Sequence, residues 1–217
     1  VSLNLAAWAS LFGRKNFAQD LFNTVSLSFA SALIATVAGL FFALAFDRPS
    51  GPAARMAKNA LPLMPLAVSS VILGFGWSLA APRGNRMALV LAEAAIAWPF
   101  AWAQISTTLD RIPESVREAA SSLSPNRLDR AFRVLVPLSG RGILSGAGFV
   151  FAISAGDATL PLVLSLRNFE NLPLLLFRLA GSYRFSEACA CAVLLALLSG
   201  FAFFLQDAAS RGERSAS

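Results

Sequence analysis

Histidine is absent from the 217-residue chain, which removes the commonest general base and metal ligand at neutral pH. Charge is scarce. Asp, Glu, Lys and Arg make up 14% of residues, against about a quarter in ordinary soluble domains. Cysteine occurs twice, as Cys189 and Cys191. Positions i and i+2 of a helix do not face each other, so the two do not pair there, and their spacing matches no metal site. They read as small apolar packing residues. No Gly-x-x-x-x-Gly-Lys-Ser/Thr segment is present, so the chain has no phosphate-binding loop of that kind. No pair of acids, and no Ser or Cys beside a base, supports an intramembrane enzyme. The net charge is +6, but the basic residues are mixed with acids and form no stripe interleaved with aromatics, which argues against nucleic acid.

What the chain has instead is apolar length: 56% of residues are hydrophobic, too many for one soluble core of this size. Five stretches stand out, at 21–46, 59–82, 87–109, 142–166 and 188–206. The first, second and fifth hold no charge; the third holds Glu93 and the fourth Asp157. At about 1.5 Å per residue each can cross a hydrocarbon layer roughly 30 Å thick. Lipid offers backbone amides no partner, so such stretches are predicted to be helices. The fold class expected is therefore all-α, a polytopic membrane protein with about five spans. Residues 1–20 are an N-terminal arm, 21–206 the membrane domain, and 207–217 a tail. Val1–Gly13 lacks the basic start and small-residue cleavage site of a signal peptide and reads as an interfacial helix or the tail of a loop. A chain that begins with Val is expected to have been cut from something longer.

Charge placement predicts orientation. The loops after the first and third stretches and the C-terminus hold eleven basic residues; the arm and the other two loops hold seven. The positive-inside rule then puts the 110–140 loop and the C-terminus in the cytoplasm and the N-terminus outside. The arginines otherwise suit lipid headgroups.

The 110–140 loop is patterned. Pro113 suits a first helical turn, with Glu114 near the positive end. Val116, Ala119, Ala120 and Leu123 recur at helical spacing and predict one small apolar face. Ser124-Pro125-Asn126 is a stop and turn. A second amphipathic segment carries Leu128, Phe132 and Leu135 and is expected to end at Pro137. This is a helix-turn-helix shaped for docking.

The loop resembles the coupling loop of type I ABC importer permeases, whose pattern is Glu-Ala-Ala, three residues, Gly, nine residues, Ile, one residue, Leu-Pro. Here it reads Glu118-Ala119-Ala120, Ser124, Val134 and Val136-Pro137. The departures are Ser for Gly, which loses freedom for a left-handed backbone although Ser can end a helix through local hydrogen bonds, and two valines. The resemblance implies that the loop docks into a groove of a nucleotide-binding subunit and couples ATP-driven closure to alternating access. Glu118 would make polar contacts, and Ala119 and Ala120 would allow close approach. It further implies two ATP-binding subunits, a second permease half or a homodimer, a periplasmic binding protein, a bacterial inner membrane, and no cofactor or metal on this chain. Asn171–Arg184, with Leu172-Pro173 and Gly181-Ser182-Tyr183-Arg184, is similar to the C-terminal half of thiamine permeases. Ser154-Ala155-Gly156-Asp157 resembles a segment those share with iron(III) permeases, which are the alternative. A stand-alone secondary transporter or channel would not need a docking loop.

Asp157 and Glu93, ionisable residues within spans, face a cavity or a partner. Asp157 and Glu93 are the candidates for the substrate path: Asp157 either lines it and meets a cation or makes a structural hydrogen bond, and for Glu93 the structural role weighs more. Gly74, Gly76, Gly146 and Gly148 suggest close helix contacts. Pro62, Pro65 and Pro99 predict kinks.

Overall fold

The computed structural model describes residues 5–48, 51–80, 85–123 and 126–212. The protein is all-helical and membrane-embedded, with no strand among the described residues. Helix α1 (Leu5–Phe12) precedes α2 (Phe17–Ala45). Next come α3 (Pro52–Ala60), α4 (Ser70–Ala80) and α5 (Arg86–Asp110). Helix α6 (Glu114–Leu123), α7 (Arg127–Arg130), a π-helical turn (Ala131–Leu135) and α8 (Val136–Leu138) form the patterned loop. Then follow α9 (Gly140–Gly156), α10 (Thr159–Leu164), α11 (Leu172–Gly181) and α12 (Phe185–Gly212).

Helices α2, α5 and α9 form the central bundle, with α12 packed on α9 and α11, and α1 on α12. Helix α2 is polar inside and apolar outside. Asn23, Thr24, Ser28, Ser31 and Thr36 are buried, whereas Phe22, Phe29, Leu33 and Phe41 are exposed. An apolar solvent reverses the usual arrangement, because the aromatic side chains lose nothing by facing lipid. Two of the inward hydroxyls are satisfied within the helix, Thr24 donating to the Asp20 carbonyl and Ser28 to the Thr24 carbonyl, both at 2.8 Å; Ser31 reaches across to α5, and Thr36 has no partner among the described residues.

Small residues let the three helices meet. Ala32 and Ala35 of α2, Ala94, Ala97 and Ala101 of α5, and Val150 of α9 share one buried cluster. A methyl group at Gly39 would lie 2.7 Å from the Trp102 backbone nitrogen, and one at Gly146 3.0 Å from Ala101 Cα. These are close-approach contacts of the kind that drive association where no hydrophobic force exists between helices. Gly74 is similarly pressed against Val163, whereas Gly76 faces open space, so the expectation of close contact holds for the first and not the second.

Among the described residues three helices are long and apolar enough to cross a membrane, α2, α5 and the Phe185–Phe204 part of α12, and the bent pair Leu128–Leu138 with Gly140–Gly156 makes a fourth if it is one broken span. Two apolar stretches are not the single helices expected of them. Between 59 and 82, α3 and α4 are separated by short 3₁₀ turns at Leu61–Leu63 and Pro65–Ala67. Pro62 and Pro65 each remove an amide donor, and together they break the helix rather than kink it. Between 142 and 166, α9 stops at Gly156 and Asp157 turns to an extended backbone, with α10 restarting at Thr159. Pro99, by contrast, lies within a helix that continues to Asp110.

Gly39→Ala is expected to lower the thermal unfolding midpoint of the purified protein in detergent, because the backbone of α5 has no room to move from the added methyl. A Gly76→Ala control, in open space, should leave the midpoint unchanged.

Candidate functional site

Helix α6 leaves α5 after a tight turn. The Arg117 amide donates to the Pro113 carbonyl at 3.3 Å and closes the first turn. The Arg117 side chain then folds back. Its guanidinium donates to the Asp47 carboxylate just beyond α2 and to the Leu109 carbonyl in the last turn of α5. It also reaches the Ile112 carbonyl at 3.5 Å. The Leu109 carbonyl lies in the last turn of α5, where helical i+4 donors run out, and it also accepts from the Ile112 amide at 3.1 Å. Arg117 therefore caps α5 while it fastens α6 to the end of α2. The pair is well shielded, with side-chain exposures of 12% for Arg117 and 14% for Asp47. It is worth more than the second link, in which both Arg48 guanidinium nitrogens donate to Glu114. That pair is more than half exposed, where water and salt screen an ion pair. Its hydrogen bonds raise the Arg48 guanidinium above its ordinary value, so its charge is permanent.

With Arg117 turned inward, the opposite face of α6 is presented to solvent. Glu118 and Ala119 are exposed, and Val116 is 37% exposed. Ala120 does not join them. It is 6% exposed and lines a cleft of about 330 Å³ beside α6 with Asp47, Arg48, Arg130 and Ala131, a cleft whose rim Glu118 also reaches. The expectation that both alanines face outward is corrected by the helical phase that Arg117 imposes. Ser124 lies outside the described residues. Val134 and Val136 are half-buried and Pro137 exposed.

The second helix of the loop does not end at Pro137. A π turn at Ala131–Leu135 leads into α8, and the run continues to Leu138. The bend comes at Ser139, where the Leu128–Leu138 and Gly140–Gly156 segments meet at 70°. A wide turn just before a proline accommodates its missing donor. Ser139 is fully buried, and its hydroxyl donates to the Val136 carbonyl at 3.1 Å.

The intramembrane acids lie elsewhere. Glu93 is 3% exposed between the three central helices. Its Oε2 accepts from Ser31 of α2 at 3.0 Å and from Ser154 of α9. Its Oε1 has no partner among the described residues. Asp157 accepts from the backbone amides of Thr159 at 2.9 Å and Leu160 at 3.2 Å. It caps α10, which packs against α4. Cys189 is exposed and Cys191 buried. Among the described residues no group of three or more His, Cys, Asp and Glu could hold a metal ion.

Arg117 and Asp47 escape a reading of motifs, since each looks like one more charge flanking a span. The available signal was position. Asp47 is the first charge after a long apolar stretch, and Arg117 directly precedes Glu-Ala-Ala.

No family model matches the chain. It is 30% identical over 154 residues to a probable molybdenum ABC transporter permease protein of Haloferax volcanii, covering 66% of this chain and 57% of that one. It is 27% identical to the spermidine/putrescine transport system permease protein PotC of Haemophilus influenzae, covering 87% of this chain and 75% of that one. To the putative 2-aminoethylphosphonate transport system permease protein PhnV of Salmonella typhimurium it is 24% identical, covering 91% and 73%. The chain thus spans a little over half of the first of these relatives and about three quarters of the other two. These relatives are transport-system permeases, not enzymes. Among solved structures, it matches a chain of the inward-facing MetNI methionine ABC transporter with a TM-score of 0.75, at 19% identity, covering 90% of this chain and 94% of that one. A bacterial ABC transporter importing alginate gives a TM-score of 0.70 at 16% identity, covering 95% and 82%. Both likenesses are of fold.

Arg117→Ala leaves the shielded Asp47 carboxylate without its donor and is expected to cost about 2 kcal/mol, read as a fall in unfolding midpoint. The exchanged pair Asp47→Arg with Arg117→Asp should recover part of that loss; losses that merely add across the cycle would show that the two charges do not interact. Asp157→Ala should cost about 1 kcal/mol through its lost caps, and Asp157→Asn, which keeps an acceptor, measurably less in the same melt.

Proposed function

We propose that the chain is the membrane-spanning permease subunit of a type I ABC importer, carried by α6: a short helix with Glu-Ala-Ala spacing, pinned to α2 and α5 by Arg117, that presents Glu118 and Ala119 outward. The permease relatives and the shared fold support this reading. In it, two ATP-binding subunits each receive such a helix in a groove. Their closure on ATP pushes α6, and the Arg117 link passes the displacement to α2 and α5 together. Transport needs a second permease half or a second copy, and a periplasmic binding protein to deliver solute. The loop side is cytoplasmic and the N-terminus periplasmic, in keeping with the excess of arginine on the loop side. Glu118, Ala119, Val116 and Ser124 form the coupling surface, and Val134, Val136 and Pro137 set the return helix. Asp157 and Glu93 serve structure rather than the substrate path: the carboxylate of the first holds the start of α10, and that of the second ties α2 to α9.

The proposed cargo is a small solute. Thiamine is favoured by the Leu172-Pro173 and Gly181-Ser182-Tyr183-Arg184 segments. The named relatives handle molybdenum, polyamines and 2-aminoethylphosphonate, so cargo varies on this fold. The Ser154–Asp157 segment keeps an iron(III) importer as the second reading.

The test is co-purification of the complete permease with its ATPase subunit, wild type against Glu118→Arg. The variant should lose most of the bound ATPase while staying folded in the membrane. Retention of the ATPase would remove α6 as the principal dock, and a wild type that recovers no ATPase would overturn the importer reading.

A further inference from the structure

At the end of the bundle opposite α6, a cleft of about 840 Å³ opens between the start of α2, the segment after α10, and α11. That is the volume of a small-molecule site. Its polar lining includes Asn16, Gln19, Asp20, Asn23, Glu170 and Arg178. Asp20 is the unusual member. It is 4% exposed, yet its carboxylate accepts no hydrogen bond from any described residue; its backbone is engaged, the carbonyl accepting from the Thr24 hydroxyl and the amide donating to the Asn16 carbonyl. The neighbouring polar groups are already engaged with one another. Gln19 donates to Asn23 at 3.1 Å, Asn23 donates to the Glu170 carbonyl at 2.7 Å, and Arg178 pairs with the Glu170 carboxylate. Arg14, the other cation near Asp20, lies 3.8 Å from Glu187, a carboxylate that Arg184 binds more closely, and it makes no hydrogen bond to Asp20.

Among the described residues the cleft is the one side from which Asp20 can be reached, and a carboxylate largely withdrawn from water without a donor is unfavourable. The first turn of α2 offsets part of that through its dipole, but it supplies no donor to the side chain. Two carboxylates and one guanidinium line the cleft, so it carries a net negative charge with one acid left over. Leu162, Leu174 and Phe177 complete the wall with apolar surface, which suits a hydrocarbon stem behind a charged head. The acids are too few for a metal ion among the described residues.

We propose that this cleft is a binding site for a small organic cation with N–H donors, whose charged head pairs with Asp20. The inference rests on the importer reading for its place in transport: the cleft lies on the proposed periplasmic side, where solute would first meet this chain. Arg178, tied to Glu170, weakens the site by its charge and by occupying the second carboxylate.

The test uses the complete transporter, with both permease halves and its ATPase subunits, in lipid nanodiscs. Equilibrium retention of radiolabelled 1,5-diaminopentane, thiamine and sulfate is measured without binding protein. At least one cation should be held saturably and sulfate should not. Asp20→Asn should weaken cation binding about tenfold, the loss of one charge-assisted hydrogen bond. Arg178→Gln should tighten it severalfold, a gain that a merely structural role for these residues would not produce. If Asp20→Asn fails to fold, the direction of the Arg178→Gln effect decides. No retained cation, retention indifferent to both variants, or retention of sulfate instead would overturn the proposal. ATPase subunits recovered in the same preparation while cations fail to bind would sink this inference alone. Their absence from the wild-type preparation would sink the importer reading instead.

Discussion

Helices α2, α5 and α9 meet closely because the residues between them are alanine, glycine and serine. In lipid no hydrophobic force pushes helices together, so van der Waals contact and interhelical hydrogen bonds have to do so. Both depend on separation. Gly39 lets α2 approach the α5 backbone, and Gly146 does the same for α9. Only at that distance can Ser31 and Ser154, from helices on either side, reach the same oxygen of Glu93. The small residues and the buried acid are thus parts of one device. The outer surface can then be almost wholly apolar, since polar groups find partners inside.

That rigid centre gives the loop something to pull on. Arg117 joins α6 to the ends of two of the three central helices. A displacement of α6 is therefore applied to α2 and α5 at once, with little slack. The 70° bend at Ser139 sends the return helix across the bundle end rather than along it. This leaves the Glu118 face unobstructed by the chain's own helices. At the other end the packing is looser, and a cleft opens where Asp20 and Glu170 sit. Tight packing at the loop end and in the centre, with an open polar recess at the far end, suits a subunit that receives force on one side and solute on the other.

Much of this was legible in the residues. The absence of charge over long stretches identified membrane helices, because the cost of burying charge in hydrocarbon scarcely depends on tertiary detail. The Glu-Ala-Ala spacing and Pro113 located α6, whose start at Glu114 follows from local backbone rules. That Glu93 needs a partner or a cavity is also legible, because an acid in a span is costly to leave exposed to lipid; which of the two it finds is not. Harder to see were the breaks at Pro62 and Pro65 and at Asp157. Proline in a span can kink a helix or end it, and neighbouring contacts choose between the two. The same ambiguity applied to Pro137, where a π turn before the proline carried the helix through.

The sequence by itself determined the solvent this protein folds in, its all-helical class and the position of α6. Each of these follows from local composition and from the demand that backbone groups be satisfied within a segment. Only the tertiary structure decided which face of α6 points outward, since Ala119 and Ala120 are equivalent until Arg117 finds Asp47, 70 residues earlier in the chain. It alone decided that Asp20 stands without a partner at the base of a cleft. Both outcomes are set by pairings between distant residues, and such pairings exist only once the helices are side by side.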